Sequence, residues 1–325
     1  MARYLVTGAA GFIGSVVAAG LLQQGHQVVG LDNLNDAYDP RLKTWRLDRL
    51  RQQAGFTFER ADVSDRQDLE RAWGSGSFDA VLNLAARAGV RPSLRDPMAY
   101  ARANLIGALN VLEVCKQSGV PKVVQASTSS LYGAHNPRPF REDADISRPL
   151  SPYAASKGAA ELLCHSYHHL FGLDVTILRY FTVFGPAGRP DMVIFRFVQW
   201  IHEGTPVVIY GDGAQERDFT YVQDIADGTI AALRPTGFQV INLGSDRPTP
   251  LRQVLTMLEA MIGRTADVRT QPPAPGDVRA TWADIHRAGE VLGWRPLTSL
   301  EDGLAACVAW YRQERSWAKS IPTTD

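Results

Sequence analysis

Tyr153 and Lys157 stand four residues apart at the start of a stretch with helical patterning, a spacing that sets both on one helix face, one turn apart. A phenol of reference pKa ~10 is a weak base near neutrality, and a neighbouring ammonium favours its ionised form. Such a pair can take a proton from an alcohol, although the same spacing occurs on solvated helix faces. Upstream, Ser127-Thr128-Ser129-Ser130 closes a β-branched run, with hydroxyls that either hold a substrate alcohol or satisfy their own loop. Near the N-terminus, Gly8-Ala9-Ala10-Gly11-Phe12-Ile13-Gly14 follows one apolar run and opens a helical one. Glycines in that context allow a tight turn and let backbone N–H groups approach a pyrophosphate at a helix N-terminus. The spacing is G-x-x-G-x-x-G, and a plain strand-to-helix turn would also use glycines. Asp32 closes the second apolar run about 20 residues on, where a carboxylate accepts from the adenosine ribose hydroxyls. No arginine follows it to meet a 2′-phosphate, so NAD is expected rather than NADP. Asp62-Val63, after the third run, offers a carboxylate and an amide to the adenine edge, or else a helix cap from Asp62 or Asp65.

These residues need a scaffold, and its rhythm is legible. Strands are expected at Arg3–Thr7, Gln27–Leu31, Phe56–Glu59, Ala80–Leu84, Lys122–Ala126 and Val175–Leu178, with helices near 12–24, 41–53, 65–73, 97–117 and 153–171. Strands without polar alternation, alternating with helices, imply an α/β fold: a Rossmann-like, doubly wound parallel sheet covered on both faces. Beyond Arg179, Gly185, Pro186, Gly188, Pro190, Gly211, Gly213 and the QPPAPGD stretch at 271–277 point to a smaller, irregular part folded against the sheet. Residues 239–243 read as another strand returning to it, so the second part is partly discontinuous.

Composition narrows the classes. The 325 residues carry 34 Lys+Arg against 34 Asp+Glu, which gives no electrostatic footprint for nucleic acid or an anionic membrane. With 45% apolar and 21% charged residues the chain is an ordinary globular one. No apolar run approaches the roughly 18 residues of a membrane span. Cys115, Cys164 and Cys307 lie far apart with no C-x-x-C spacing, so neither a disulfide framework nor a zinc site is indicated and a cytoplasmic setting is expected.

Taken together, the glycine motif, Asp32, the hydroxyl-rich strand end, Tyr153/Lys157 and Arg179-Tyr180-Phe181-Thr182-Val183-Phe184-Gly185-Pro186 resemble the extended short-chain dehydrogenase/reductase family, and within it the nucleotide-sugar epimerases and dehydratases. The resemblance spans essentially the whole chain. It implies an NAD-binding part over residues 1–180, with returning segments near 218–248, and a part over 181–325 that mainly holds a UDP-sugar. By that resemblance Thr128 is the catalytic hydroxyl, Tyr153 the base and Lys157 the residue that holds the nicotinamide ribose. Gly8, Gly11, Phe12, Ile13, Gly14, Asp32, Asn33, Asp62, Val63, Leu84, Ala85, Ala86, Arg87, Asn104 and Tyr180 fall where family members contact the cofactor. Asn83 replaces the histidine common before the Ala85-Ala86 pair. A homodimer is implied, paired through the helices near 97–117 and 153–171.

Sugar dehydratases of the family carry an Asp-Glu pair after the catalytic Thr, and the related decarboxylases a Glu. Ser129 and Ser130 stand there here, which leaves reversible oxidation at C4, hence epimerisation, as the economical expectation. The stretch Asp32-Asn33-Leu34-Asn35-Asp36-Ala37-Tyr38-Asp39-Pro40-Arg41-Leu42-Lys43, the stretch Ala88-Gly89-Val90-Arg91 and the Phe181–Met192 segment are similar to UDP-glucuronate 4-epimerases, with Ala37 where an aromatic is frequent. Ser130, Thr182, Arg189, Tyr210, Arg217 and Asp277 are the implied substrate contacts. Arg189 suits a carboxylate or phosphate because a guanidinium makes two charge-assisted hydrogen bonds, while a lone loop arginine also commonly sits in a surface ion pair. Tyr210 packs near uracil or fills the smaller core, and Asp277 holds the uridine ribose or is a turn aspartate. Ala274 replaces the arginine often found three positions before Asp277, which shifts diphosphate binding onto Arg217. A UDP-glucose/UDP-galactose 4-epimerase is the alternative enzyme, and an NAD-binding sensor or scaffold the alternative without catalysis.

Overall fold

Apolar runs and amphipathic segments alternate through the first half of the chain and build the main sheet. The structure, a computed structural model, describes residues 1–74, 76–273, 276 and 278–323. In chain order come β1 (Arg3–Thr7), α1 (Phe12–Gln23), β2 (Gln27–Asp32), α2 (Pro40–Arg51), β3 (Phe56–Arg60), α3 (Arg66–Trp73) and β4 (Ala80–Asn83). Two short helices, α4 (Val90–Arg95) and α5 (Pro97–Tyr100), a π-helical turn at Ala101–Ile106 and α6 (Gly107–Gln117) lead to β5 (Lys122–Thr128), α7 (Pro152–Phe171) and β6 (Asp174–Tyr180). Then follow β7 (Thr182–Phe184), α8 (Val193–Glu203), β8 (Val207–Tyr210), β9 (Glu216–Tyr221), α9 (Val222–Ala231), β10 (Phe238–Leu243), β11 (Pro248–Pro250), α10 (Leu251–Ile262), β12 (Val268–Gln271) and α11 (Leu300–Ala318).

The seven-stranded sheet runs β10-β6-β5-β4-β1-β2-β3, every neighbouring pair parallel. Chain order reverses between β1 and β4, and the crevice above their carboxyl ends is where such sheets take ligands. α1 and α9 cover one face, joined by Val17, Leu21, Leu82, Val124, Ile225 and Ala226 in one core. Their approach is close: a Cβ on Gly20 would lie 2.8 Å from Ile230 Cδ1. α3, α6 and α7 cover the other face with Leu69, Val111, Leu112, Cys164 and Tyr167. A separate core of Phe197, Trp200, Leu258, Trp310 and Tyr311 joins α8, α10 and α11. Two small sheets, β11-β9-β7 and β12-β8, lie in the same half. Among the described residues no helix is long and apolar enough to cross a membrane.

Two sequence expectations need correction. The later half is less irregular than its glycines and prolines suggest: α8 buries Ile194, Phe197, Val198 and Ile201 at helical spacing, and α10 and α11 pack with it. Gly204 and Gly263, at φ 71° and 79°, close α8 and α10 in left-handed caps and do not interrupt them. The single helix expected at 97–117 is broken by the π turn, which widens the coil by one residue and carries Asn104.

Candidate active site

The glycine loop is built so tightly that side chains are excluded. Gly8 has φ +70°, and a Cβ there would meet the Ala85 nitrogen at 2.8 Å; a Cβ on Gly14 would fall 2.2 Å from the Gly8 carbonyl oxygen. Gly11 is the N-cap of α1 and offers no side chain to the first helical amides, whose donors and dipole suit an anion. Phe12, Ile13, Leu84 and Ala86 border the adjoining cavity. The Leu84 and Ala85 amides both donate to Thr7 Oγ1 at 3.1 Å. Asn83 sits between strands, accepting from Thr7 Oγ1 at 2.7 Å and donating to Gln125 at 2.8 Å. Asn83 thus ties β1, β4 and β5 together beneath the loop.

At the other end, buried Asp32 accepts from the Leu34 amide at 2.8 Å and from Lys43 Nζ at 3.3 Å. Asn33 donates to Asp62 at 2.8 Å. Burial works to raise the Asp62 pKa, but the Ser64 amide and hydroxyl together with Asn33 hold it below the usual carboxylate range. The cap of α3 is Asp65, which accepts from the Gln67 and Asp68 amides, so Asp62 is not the helix cap; its carboxylate is bonded to Asn33 and Ser64. The Val63 carbonyl accepts from Asn110 at 2.9 Å. Asn104 accepts from the Arg87 amide and donates to the Arg87 carbonyl and to Ser156; its bonds shape the loop after β4. The Tyr180 hydroxyl meets Thr229 Oγ1 at 2.9 Å while the residue also borders the cavity. A glycine cradle, an uncapped helix start and a carboxylate at the end of β2 are the donor and acceptor set that a dinucleotide requires, so the residues fit NAD.

Ser151 caps α7 by accepting from the Ala154 amide, and Pro152 takes the first helical position. Tyr153 and Lys157 therefore occupy the first two turns, opposite Thr128 at the end of β5. All three line one cavity of about 450 Å³, which Ser130, Thr182, Arg189, Tyr210 and Arg217 also border. Thr128 Oγ1 accepts from the Ser130 amide at 3.1 Å and contacts Ser130 Oγ at 3.2 Å. Burial raises the Tyr153 pKa, and the Thr128 hydroxyl and the Arg189 charge act to lower it. Burial brings Lys157 down to about 8, with Glu161 opposing. Arg189 is thus a cation that bears on the phenol. Lys157 lies a turn deeper, 2% exposed, and answers to Glu161.

Arg189 combines the two options that the sequence left open. It pairs with Asp191 and donates to the Ala88 carbonyl at 3.1 Å, yet it borders the cavity. Arg217 donates to the Glu216 carbonyl at 2.7 Å, and the Arg91 guanidinium lies 4.0 Å from the centre of the Tyr210 ring. Asp277 and Ala274 lie outside the described residues. Sequence reasoning missed the ion pair between Arg179 and Glu161, 2.7 Å apart and 4% and 6% exposed, to which Ser127 and Tyr132 also bond. It missed Arg46 as well. The signal was present: Leu42, Lys43, Arg46, Leu47 and Leu50 form the buried stripe of α2, so two cations interrupt an otherwise apolar face.

A doubly wound sheet whose switch-point edge presents a glycine cradle, with a Thr, Tyr and Lys set above the next strand, defines a dinucleotide-dependent enzyme of the short-chain dehydrogenase type. The family model described as NAD dependent epimerase/dehydratase matches residues 4–244, and the chain belongs to that family. NAD is its cofactor. The chain is 51% identical to a UDP-glucuronate 4-epimerase of Thermodesulfobacterium geofontis, over 99% of each. Among solved structures it resembles the UDP-glucuronic acid 4-epimerase of Bacillus cereus in complex with UDP-glucuronic acid and NAD, with TM-score 0.89, 38% identity, and 96% and 99% of the two chains covered. The UDP-glucose 4-epimerase of Thermotoga maritima with UDP-glucose gives TM-score 0.90 at 34% identity over the same shares.

Proposed function

We propose that the protein interconverts UDP-glucuronate and UDP-galacturonate by 4-epimerisation through a transient 4-keto sugar. The observation that carries this reading is the meeting of Thr128, Tyr153 and Arg189 on one cavity wall, below a cradle suited to NAD and beside Arg217. Bound NAD supplies reversible oxidation at C4. Gly8, Gly11 and Gly14 with the Phe12 and Ile13 amides hold its pyrophosphate, Asp32 its adenosine ribose and Lys157 its nicotinamide ribose. Tyr153 as phenolate takes the C4 hydroxyl proton and returns it after the 4-keto sugar has turned over; Thr128 holds that oxygen. Arg217 keeps the diphosphate anchored throughout.

In a 4-keto uronate the carboxylate is β to the ketone and prone to leave as carbon dioxide. Arg189 restrains it. Charge-assisted hydrogen bonds of this kind contribute about 1.5–3 kcal/mol, so Arg189→Ala should lower kcat/KM for UDP-glucuronate by about 10–100-fold and raise the share lost as carbon dioxide. The assay is NMR of products from purified protein without added NAD, with UDP-glucose as the second substrate. A variant that keeps its preference for uronate removes Arg189 from this role, and wild-type protein that turns over UDP-glucose alone favours the neutral-hexose reading.

Exposed Met98, Ile106, Leu162 and Leu170 spread over the α5–α6 and α7 surfaces, and we place a homodimer contact there. Sedimentation should give twice 35.7 kDa, and Leu162→Glu should shift the protein to monomer. With three free, buried cysteines, the cytoplasm is the proposed compartment.

A further inference from the structure

Arg46 is 3% exposed in the middle of α2, yet it touches both halves of the site. Its Nη1 donates to the Ala10 carbonyl at 3.2 Å and to the Tyr38 hydroxyl at 2.7 Å. Nε and Nη2 donate to the Ala187 carbonyl at 3.2 and 2.6 Å, and Nη2 reaches the Gly188 carbonyl at 3.4 Å. Ala10 belongs to the glycine cradle, and Ala187-Gly188 is the turn that leads into Arg189. Ala187 stands at φ +51°, a left-handed conformation that is unfavourable for a residue with a Cβ. Two donors on its own carbonyl help to hold it there. The chain of contacts extends further: Lys43, bonded to Asp32, lies 5.6 Å from the centre of the Tyr38 ring.

We propose that Arg46 is a positioning residue that locks the dinucleotide cradle to the Arg189 turn, so that cofactor retention and restraint of the uronate carboxylate depend on one guanidinium. The acceptors named are neutral, and a fork of five donors fixed in a plane reaches acceptors on two loops in a geometry that a compact ammonium with three donors does not reproduce. The proposal rests on the carboxylate role of Arg189 given above. When the restraint fails, the C5–C6 bond of the 4-keto uronate breaks. Carbon dioxide leaves, the electron pair passes to C5 and the C4 carbonyl as an enolate, and a proton from water at C5 completes a 4-keto pentose.

The test uses the purified NAD-bound protein. Arg46→Met keeps the aliphatic stem and removes every donor. The ratio of carbon dioxide to UDP-galacturonate should rise about tenfold, and the NAD retained per chain after dialysis should fall. Arg46→Lys should recover NAD retention in part and leave the ratio high. Wild-type protein that forms no UDP-galacturonate overturns the functional reading itself, whatever Arg46 does. Wild-type protein that epimerises, with Arg46→Met matching it in both product ratio and NAD content, overturns this proposal alone. If Arg46→Met does not fold, Tyr38→Phe deletes one acceptor of the guanidinium and should move both readouts in the same direction; no movement in either overturns the proposal.

Discussion

Tyr153→Phe is expected to cut UDP-sugar interconversion by about 10²–10⁴-fold, the range of a positioned general base, while NAD stays on the protein. The phenol borders the cavity opposite Thr128, and the substitution removes one oxygen without changing the ring that packs edge-on against Tyr100, centroids 6.0 Å apart. Binding should therefore survive the loss of chemistry. The pH dependence follows from the same surroundings. Burial lifts the phenol, and Thr128 and Arg189 pull it down, so activity that needs the phenolate rises with pH through the Tyr153 pKa. Thr128→Val removes one of the two lowering influences, and the acidic limb of its kcat/KM profile should move to higher pH. Full activity in Tyr153→Phe, or an unmoved limb in Thr128→Val, would sink the base assignment.

Breaking the pair beneath the site has the largest expected effect on stability. Arg179 donates to both Glu161 oxygens and to Tyr132 within the sheet–helix interior, where both partners are buried. Glu161→Leu would leave the guanidinium charged and unmatched, at a cost of about 3–5 kcal/mol, whereas replacing both residues with well-packed apolar ones costs far less. Urea unfolding of Glu161→Leu, Arg179→Met and the double variant checks this; single variants within 1 kcal/mol of wild type, roughly the worth of an exposed pair, would contradict it. The effect reaches the active site too. Glu161 supports the Lys157 charge against burial, so its removal should take the Lys157 pKa below about 8 and weaken any ribose contact that needs the ammonium.

How much of this was legible in the residues depended on range. The parallel sheet and its helices follow from apolar runs and local periodicity, and β10 was visible because its residues are apolar where a loop would be polar. The cradle and the Tyr153/Lys157 pair were legible because their members are neighbours in sequence. The setting of Arg189 was only half legible: its chemistry shows in its type and Asp191 stands two positions on, but its place beside Tyr153 is a result of folding. Arg46, Arg179 and Glu161 were hidden for the same reason, since each joins segments that are far apart in the chain. Asn104 was identified as a contact residue, but the π turn that aims it at the Arg87 backbone has no periodic signature.

β10 lies on the outer edge of β6 but is encoded some 58 residues after β6 ends. At about 5–20 residues per second, a growing chain would display the open edge of β6 for several seconds before its covering strand is synthesised, the kind of exposed ladder that invites mispairing. The intervening stretch is the one that brings Arg189 and Arg217. The nucleotide half therefore cannot be completed on the ribosome as an independent unit: by the time its last strand emerges, Arg189 and Arg217 have already been made, and the two sides of the cavity must mature together.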